Sequence, residues 1–170
     1  DQNILGKVDR SINRINYRGP DDRGSLQLKN NFSVGSCRPS IFDISEKGKM
    51  PMKDLSNNYT IVYNGEIYNF PEIKKKFNLS TKSDTDTEVI LELYSKIGTE
   101  CINHFNGIFS FILFDKIKNI AFCCRDRLGV KPFYYYWKNE IFVACSEIKG
   151  IHEIIEKNVN IEKIHTYLTT

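Results

Sequence analysis

Apolar and polar residues recur along this chain with two periods, near 3.6 and near 2, and the switches between them mark out its elements. From Gln2 to Asn16, Ile4, Leu5, Val8, Ile12 and Ile15 fall at helical spacing, which predicts an amphipathic helix. Tyr17 to Gly24 holds two glycines, a proline and alternating charges, so it can neither continue that helix nor form a central strand, and a loop is expected. Such a charged loop either closes on itself through salt bridges or borders a ligand. Strand-like runs follow at Ser25 to Lys29 and Phe32 to Ile41, joined by an Asn30-Asn31 turn, and Ser45 to Lys53 reads as a polar surface loop. Tyr59 to Tyr63 is the next strand, and Asn64-Gly65 is expected to break it.

Pro71 is placed to open a short helix with Ile73 and Phe77 on one face. The clearest helix starts within Asp84 to Glu88, where Thr85 and Glu88 have capping-box spacing. Its buried stripe is Val89, Ile90, Leu93, Tyr94 and Ile97, and Gly98 ends it. Ile108 to Phe114 is apolar on both faces, as in a strand covered on both sides. Ile120 to Arg125, Phe133 to Trp137 and Ile141 to Cys145 are three more strands whose short connections require antiparallel pairing. Glu147 to Ile155 and Ile161 to Leu168 are expected as helices. Together these predict a layered α/β sandwich of one domain, a size for which 170 residues suffice.

Composition narrows the function classes. A net charge of +3 is too small and too dispersed for a nucleic-acid partner, and Lys74-Lys75-Lys76, the basic cluster, fits a solvated helix face. No apolar run reaches the length of a membrane span and the start carries no signal-peptide pattern, so no membrane partner and a cytoplasmic location are expected. The five cysteines (37, 101, 123, 124, 145) lack metal-type spacing and read as buried thiols, and the three histidines stand far apart.

Candidate chemistry gathers at Asn64-Gly65-Glu66, where a strand end presents an amide, a glycine and a carboxylate; an ordinary Asn-Gly hairpin turn is the local alternative. Asp86 lies near a helix start, where an acid is favourable without any ligand. Pattern alone does not choose among an enzyme, a ligand-binding module and a structural partner.

Several short motifs are colinear along nearly the whole chain: Arg18-Gly19-Pro20-Asp21-Asp22-Arg23-Gly24, Arg38 to Asp43, Asn64 to Asn69, Ser83 to Leu91, Gly107 to Asp115, Arg125 to Tyr135 and Ala144 to Lys149. In this order and at these intervals they resemble the glutamine-hydrolysing domain of asparagine synthetases, within the class II glutamine amidotransferases. The resemblance implies an N-terminal-nucleophile hydrolase-like four-layer sandwich, two antiparallel sheets between helical layers. It also implies that an N-terminal cysteine thiolate attacks the glutamine amide, with its own α-amine as base, and releases ammonia. By the same resemblance Asn64 and the Gly65 N–H would hold the oxyanion, Arg38 the substrate α-carboxylate, and Glu66 and Asp86 its α-ammonium. The domain itself would need no cofactor. ATP and Mg would belong to a C-terminal synthetase domain, which with glutamine makes up the expected partners, a homodimer remaining open.

The chain departs from the family pattern in four places. It begins at Asp1, where the family has Met-Cys-Gly and a short strand, so the nucleophile is expected to be missing and the chain inactive as it stands. No internal cysteine has the free α-amine, and Cys37 has only Arg38 beside it to lower its pKa. Tyr17 stands where His is usual, Ser36-Cys37 where basic residues are common, and Pro39, which removes a strand donor, where Leu is usual. Two explanations follow: a fragment of a working enzyme that lacks the first strand and the synthetase domain, which the retained substrate-reading residues favour, or a nucleophile-less structural or glutamine-sensing domain beside a synthetase-like partner.

Overall fold

The computed structural model describes residues 3–38, 48–157 and 159–169. Helix α1 (Ile4–Arg14) is capped by Asn3, whose Oδ1 accepts the Gly6 N–H at 2.8 Å, and it buries Ile12 and Ser11. A 3₁₀ turn at Asn16–Arg18 leads to strands β1 (Asp22–Lys29) and β2 (Phe32–Arg38), which form an antiparallel ribbon. α1 packs on this ribbon, and the close approach needs Gly35, whose Cβ would lie 2.3 Å from Ile12 Cδ1.

The central sheet has the order β3-β4-β5-β6: β3 (Met52–Lys53), β4 (Tyr59–Ile67), β5 (Gly107–Asp115) and β6 (Ile120–Arg125), all antiparallel. One face of the sheet is covered by α2 (Phe70–Lys76) and α3 (Asp86–Ile97). Ile61, Tyr63, Ile67, Phe109, Phe111 and Leu113 meet Val89, Ile90, Leu93 and Tyr94 there in one continuous core. Side chains alternate across a strand, so Val62, Asn64 and Glu66 occupy the other face. That face turns to the β1–β2 ribbon, where Phe32 stacks on Phe114 at 5.0 Å. A second ribbon, β7 (Tyr134–Lys138) with β8 (Ile141–Cys145), and helix α4 (Ile148–Ile151) complete the packing around α1; α5 (Ile161–Thr169) ends the chain.

The mixed α/β architecture with antiparallel sheets agrees with the sequence reading, and several boundaries do not. β1 begins at Asp22 and not at Ser25, because a cross-strand pair between Asp22 and Arg38 lets the charged segment join the ribbon. The polar stretch expected as loop yields β3 at its end, since Met52 pairs with Ile61 and is buried. Positions 45–47 of that stretch, and positions 39–41 of the run expected to extend β2, lie outside the described residues. Asn64-Gly65 does not break its strand: β4 runs on through Ile67 against β5. Gly98 does end α3, with φ +65°, and a 3₁₀ segment unforeseen from the sequence, Gly98–His104, follows it. The helix expected to reach Ile155 keeps its helical form only to Ile151.

Candidate active site

Strand β4 makes the site possible by being paired unevenly. β5 runs beside it from Tyr59 to Ile67, whereas β3 pairs only with Thr60 and Ile61, so beyond Ile61 the β3-side edge of β4 is open. The Tyr63 N–H leaves by that edge to Met50 Sδ (3.2 Å), and the Ile67 N–H leaves by it to Asp86 Oδ2 (2.9 Å). With the two-residue alternation of an antiparallel strand, the Gly65 N–H between them points the same way. Glycine is demanded there by close approach: a Cβ on residue 65 would lie 2.3 Å from Ile108 O and 2.6 Å from Phe109 Cα. The glycine therefore serves a tight strand pair, not a turn.

Asp86, the first residue of α3, is brought to this edge by its own hydrogen bonds. Its Oδ2 accepts the Tyr63 phenol at 2.5 Å as well as the Ile67 N–H. The helix start is fixed independently. Thr85 caps it, accepting the Glu88 N–H at 3.4 Å, and Glu88 Oε2 accepts both the N–H (2.7 Å) and the hydroxyl (2.8 Å) of Ser83. The capping box thus forms with its acid reaching Ser83 and not Thr85. Glu66 is exposed, and among the described residues its carboxylate accepts no hydrogen bond; the side-chain amide of Asn64 is likewise unpartnered, half-buried on the face of β4 that turns to the ribbon.

Arg38 sits at the end of β2, on the ribbon that packs against β4. Its Nε donates to Asp22 Oδ2 at 2.9 Å, an ion pair about three-quarters removed from solvent on both sides. Gly48 approaches the guanidinium closely, since a Cβ there would fall 2.4 Å from Nη1. The structure therefore carries Asn64, Gly65 and Glu66 in succession on β4, bonds Asp86 to that strand through the Ile67 N–H, and holds Arg38 on the neighbouring layer by Asp22. Sequence reasoning missed Tyr63, the Ile67 N–H and Asp22 as partners. The signal for Tyr63 was its parity, since it lies on the helix-facing side of β4, two residues from Ile61.

Four of the internal thiols, Cys37, Cys101, Cys123 and Cys124, are poor nucleophiles. Burial pushes Cys101 up to about 12 and Cys123 up to about 11, and it raises Cys124 and Cys37 as well; at Cys37 the nearby Cys145 adds to the rise and Arg18 opposes it. A separate cavity of about 330 Å³, lined by Phe105, Phe109, Cys124, Asp126 and Arg127, lies along the other edge of β5 and contains none of these candidate residues. Among the described residues no cluster of His, Cys, Asp and Glu is arranged to hold a metal ion, and no helix is long and apolar enough to cross a membrane.

Comparison with known proteins identifies the family and the fold. Residues 2–170 match the family described as glutamine amidotransferase domain. A protein of Methanocaldococcus jannaschii named "Putative asparagine synthetase (glutamine-hydrolyzing) 2" is 45% identical over 185 residues, covering 96% of this chain and 36% of that protein. Asparagine synthetase (glutamine-hydrolyzing) 3 of Bacillus subtilis is 38% identical over 149 residues, 85% of this chain and 24% of its own. The chain thus spans about a third or less of the length of these relatives. Among solved structures, the glutamine phosphoribosylpyrophosphate amidotransferase of B. subtilis superimposes with a TM-score of 0.72 over 86% of this chain and 40% of its own, at 13% identity, which establishes a shared N-terminal-nucleophile hydrolase fold.

Proposed function

The chain belongs to the glutamine amidotransferase domain family, homologous to the glutaminase domains of asparagine synthetases, and on that premise we propose that it binds glutamine and releases its amide nitrogen as ammonia. The observation that carries the proposal is the open edge of β4, where the Gly65 N–H lies between the Tyr63 N–H and the Asp86-bound Ile67 N–H. A backbone donor on a rigid strand with an unpartnered amide, Asn64, beside it suits an oxyanion, and two acids, Asp86 and Glu66, suit the α-ammonium. Among the described residues Arg38 bonds only Asp22, through Nε, and its Nη groups suit a carboxylate.

In the reaction that family membership suggests, a cysteine thiolate attacks the amide carbon of glutamine. The C=O π electrons move onto oxygen, where Asn64 and the Gly65 N–H stabilise them. On collapse the C–N bond breaks and the nitrogen leaves as ammonia with the proton that the N-terminal α-amine took from the thiol, and water then hydrolyses the γ-glutamyl thioester left on the cysteine to glutamate and the free thiol. The attacking thiolate is assigned to an N-terminal cysteine of the longer protein, since burial raises the pKa of Cys37, Cys101, Cys123 and Cys124 and no cysteine within this chain has a free α-amine to serve as base. In that longer protein the ammonia would serve ATP- and Mg-dependent amidation of aspartate or a related carboxylate by a synthetase domain.

The test is calorimetric titration of glutamine into the full-length protein and its Asp86→Ala variant, with ammonia release followed in parallel. Asp86→Ala is expected to weaken glutamine binding by roughly 10- to 100-fold, the worth of a charge-assisted contact. Equal affinities would remove Asp86 from the site, and a parent that releases no ammonia from glutamine would overturn the activity.

A further inference from the structure

We propose that Tyr63 is a positioning residue for the ammonium-reading carboxylate: together with the Ile67 N–H it fixes Oδ2 of Asp86, so that Oδ1 is presented to the α-ammonium of glutamine. The inference rests on the glutamine reading and adds to it a residue on the opposite face of β4 from Asn64.

Three observations carry it. The phenol (2.5 Å) and the Ile67 N–H (2.9 Å) converge on the same oxygen, and one comes from a side chain while the other comes from the strand backbone. The other oxygen is nearly bare, since Thr87 Oγ1 approaches Oδ1 only to 3.5 Å, too far to hold it. A carboxylate has about four acceptor positions, so filling those on Oδ2 leaves Oδ1 for an incoming cation. Third, Tyr63 is buried, 9% exposed, and packed in the core between β4 and α3, so its hydroxyl cannot swing to water and must find its partner inside. Burial foremost, and then the adjacent Asp86 charge, push the phenol pKa far above its ordinary 10, so the group remains a donor at any working pH.

A purely structural strap between β4 and α3 would show the same bonds, so the test must read the substrate's amine. Glutaramate, which is glutamine without its α-amino group, keeps the carboxamide and the carboxylate. Calorimetric affinities for glutamine and glutaramate are compared in the full-length protein and in its Tyr63→Phe, Asp86→Asn and doubly substituted variants. Tyr63→Phe, which removes only the donor, is expected to weaken glutamine about tenfold and to leave glutaramate within about twofold. In the Asp86→Asn background it is expected to add no further loss, because the two residues act as one unit. Equal weakening of both ligands, or no weakening of either, overturns the inference. A parent with no preference for glutamine over glutaramate overturns the ammonium reading and this inference with it, whereas a preference lost in Asp86→Asn but kept in Tyr63→Phe overturns the positioning role alone. Should Tyr63→Phe not fold, Asp86→Glu keeps the charge and moves the carboxylate off both donors. The same selective loss of glutamine is expected there, and an undiminished preference overturns the proposal.

Discussion

Asn64 and Gly65 are neighbours whose substitution should fail in different ways. The Asn64 amide has no partner among the described residues and is only half-buried, so removing it leaves no orphaned group and little packing loss. Asn64→Ala in the full-length protein is therefore expected to fold normally and to lose roughly 10²- to 10³-fold in kcat for ammonia release, with KM changing far less, as for the loss of one oxyanion donor. A KM effect with kcat intact would make Asn64 a ground-state contact. Gly65→Ala keeps the N–H but sets a Cβ against Ile108 O and Phe109 Cα at 2.3 and 2.6 Å, backbone that cannot step aside without splaying β4 from β5. A loss of about 1 to 3 kcal/mol in urea unfolding is expected, and an unchanged midpoint would show that the strand pair yields freely.

At the scale of elements, the sequence revealed what depends on local pattern and concealed what depends on distant partners. β6 and β8 fall at the residues their alternation predicts, Ile120–Arg125 and Ile141–Cys145, because turns bound them on both sides. α3 and its Thr85 cap were legible for the same reason: a cap is a three-residue event. Asn64-Gly65 misled because the dipeptide favours a hairpin by itself, and what keeps it extended is β5, whose residues 108–110 are more than 40 positions away in sequence. The site residues could be recognised as motifs, but not the Tyr63–Asp86 bond, which depends on how α3 docks on β4. One consequence concerns the helix start. Glu88 holds the Ser83 N–H and hydroxyl and so orders the segment entering α3, two residues before the Thr85 cap and three before Asp86. Glu88→Ala is expected to cost about 1 to 2 kcal/mol in urea unfolding and to weaken glutamine binding severalfold through Asp86. Loss of stability without loss of affinity would show that Tyr63 and Ile67 hold Asp86 unaided.

Across the whole molecule, two carboxylates connect segments far apart in the chain, and both are held below their ordinary pKa. Glu147 accepts Arg18 Nη1 at 2.7 Å, linking the turn after α1 to the start of α4, and this bond, followed by one from Tyr17, lowers its pKa below the usual 4.5. At Asp126 desolvation works to raise the pKa, but the N–H groups of Lys131 (3.0 Å), Val130 (2.9 Å) and Phe109 (3.3 Å) outweigh it and bring the pKa below 3.8. A carboxyl whose pKa is depressed on folding contributes stability fully above its unfolded value and loses it as pH falls through the folded one. The urea midpoint should therefore stay level from pH 7 to about 5 and decline below about pH 4. Asp126→Asn should be less stable than the parent at pH 7 and show a shallower acid decline; identical acid slopes would mean that Asp126 contributes nothing to it. The same window should reach the site. Asp126 secures the loop that runs to Pro132, whose carbonyl accepts the Ser110 hydroxyl at 3.3 Å, and it secures Phe109. Ser110 and Phe109 are the β5 partners of Asn64 and Gly65. Protonating Asp126 releases the far edge of β5 opposite the oxyanion donors, so glutamine affinity should fall with the stability below about pH 4, and an affinity that holds while the midpoint drops would show that the site is insulated from that edge.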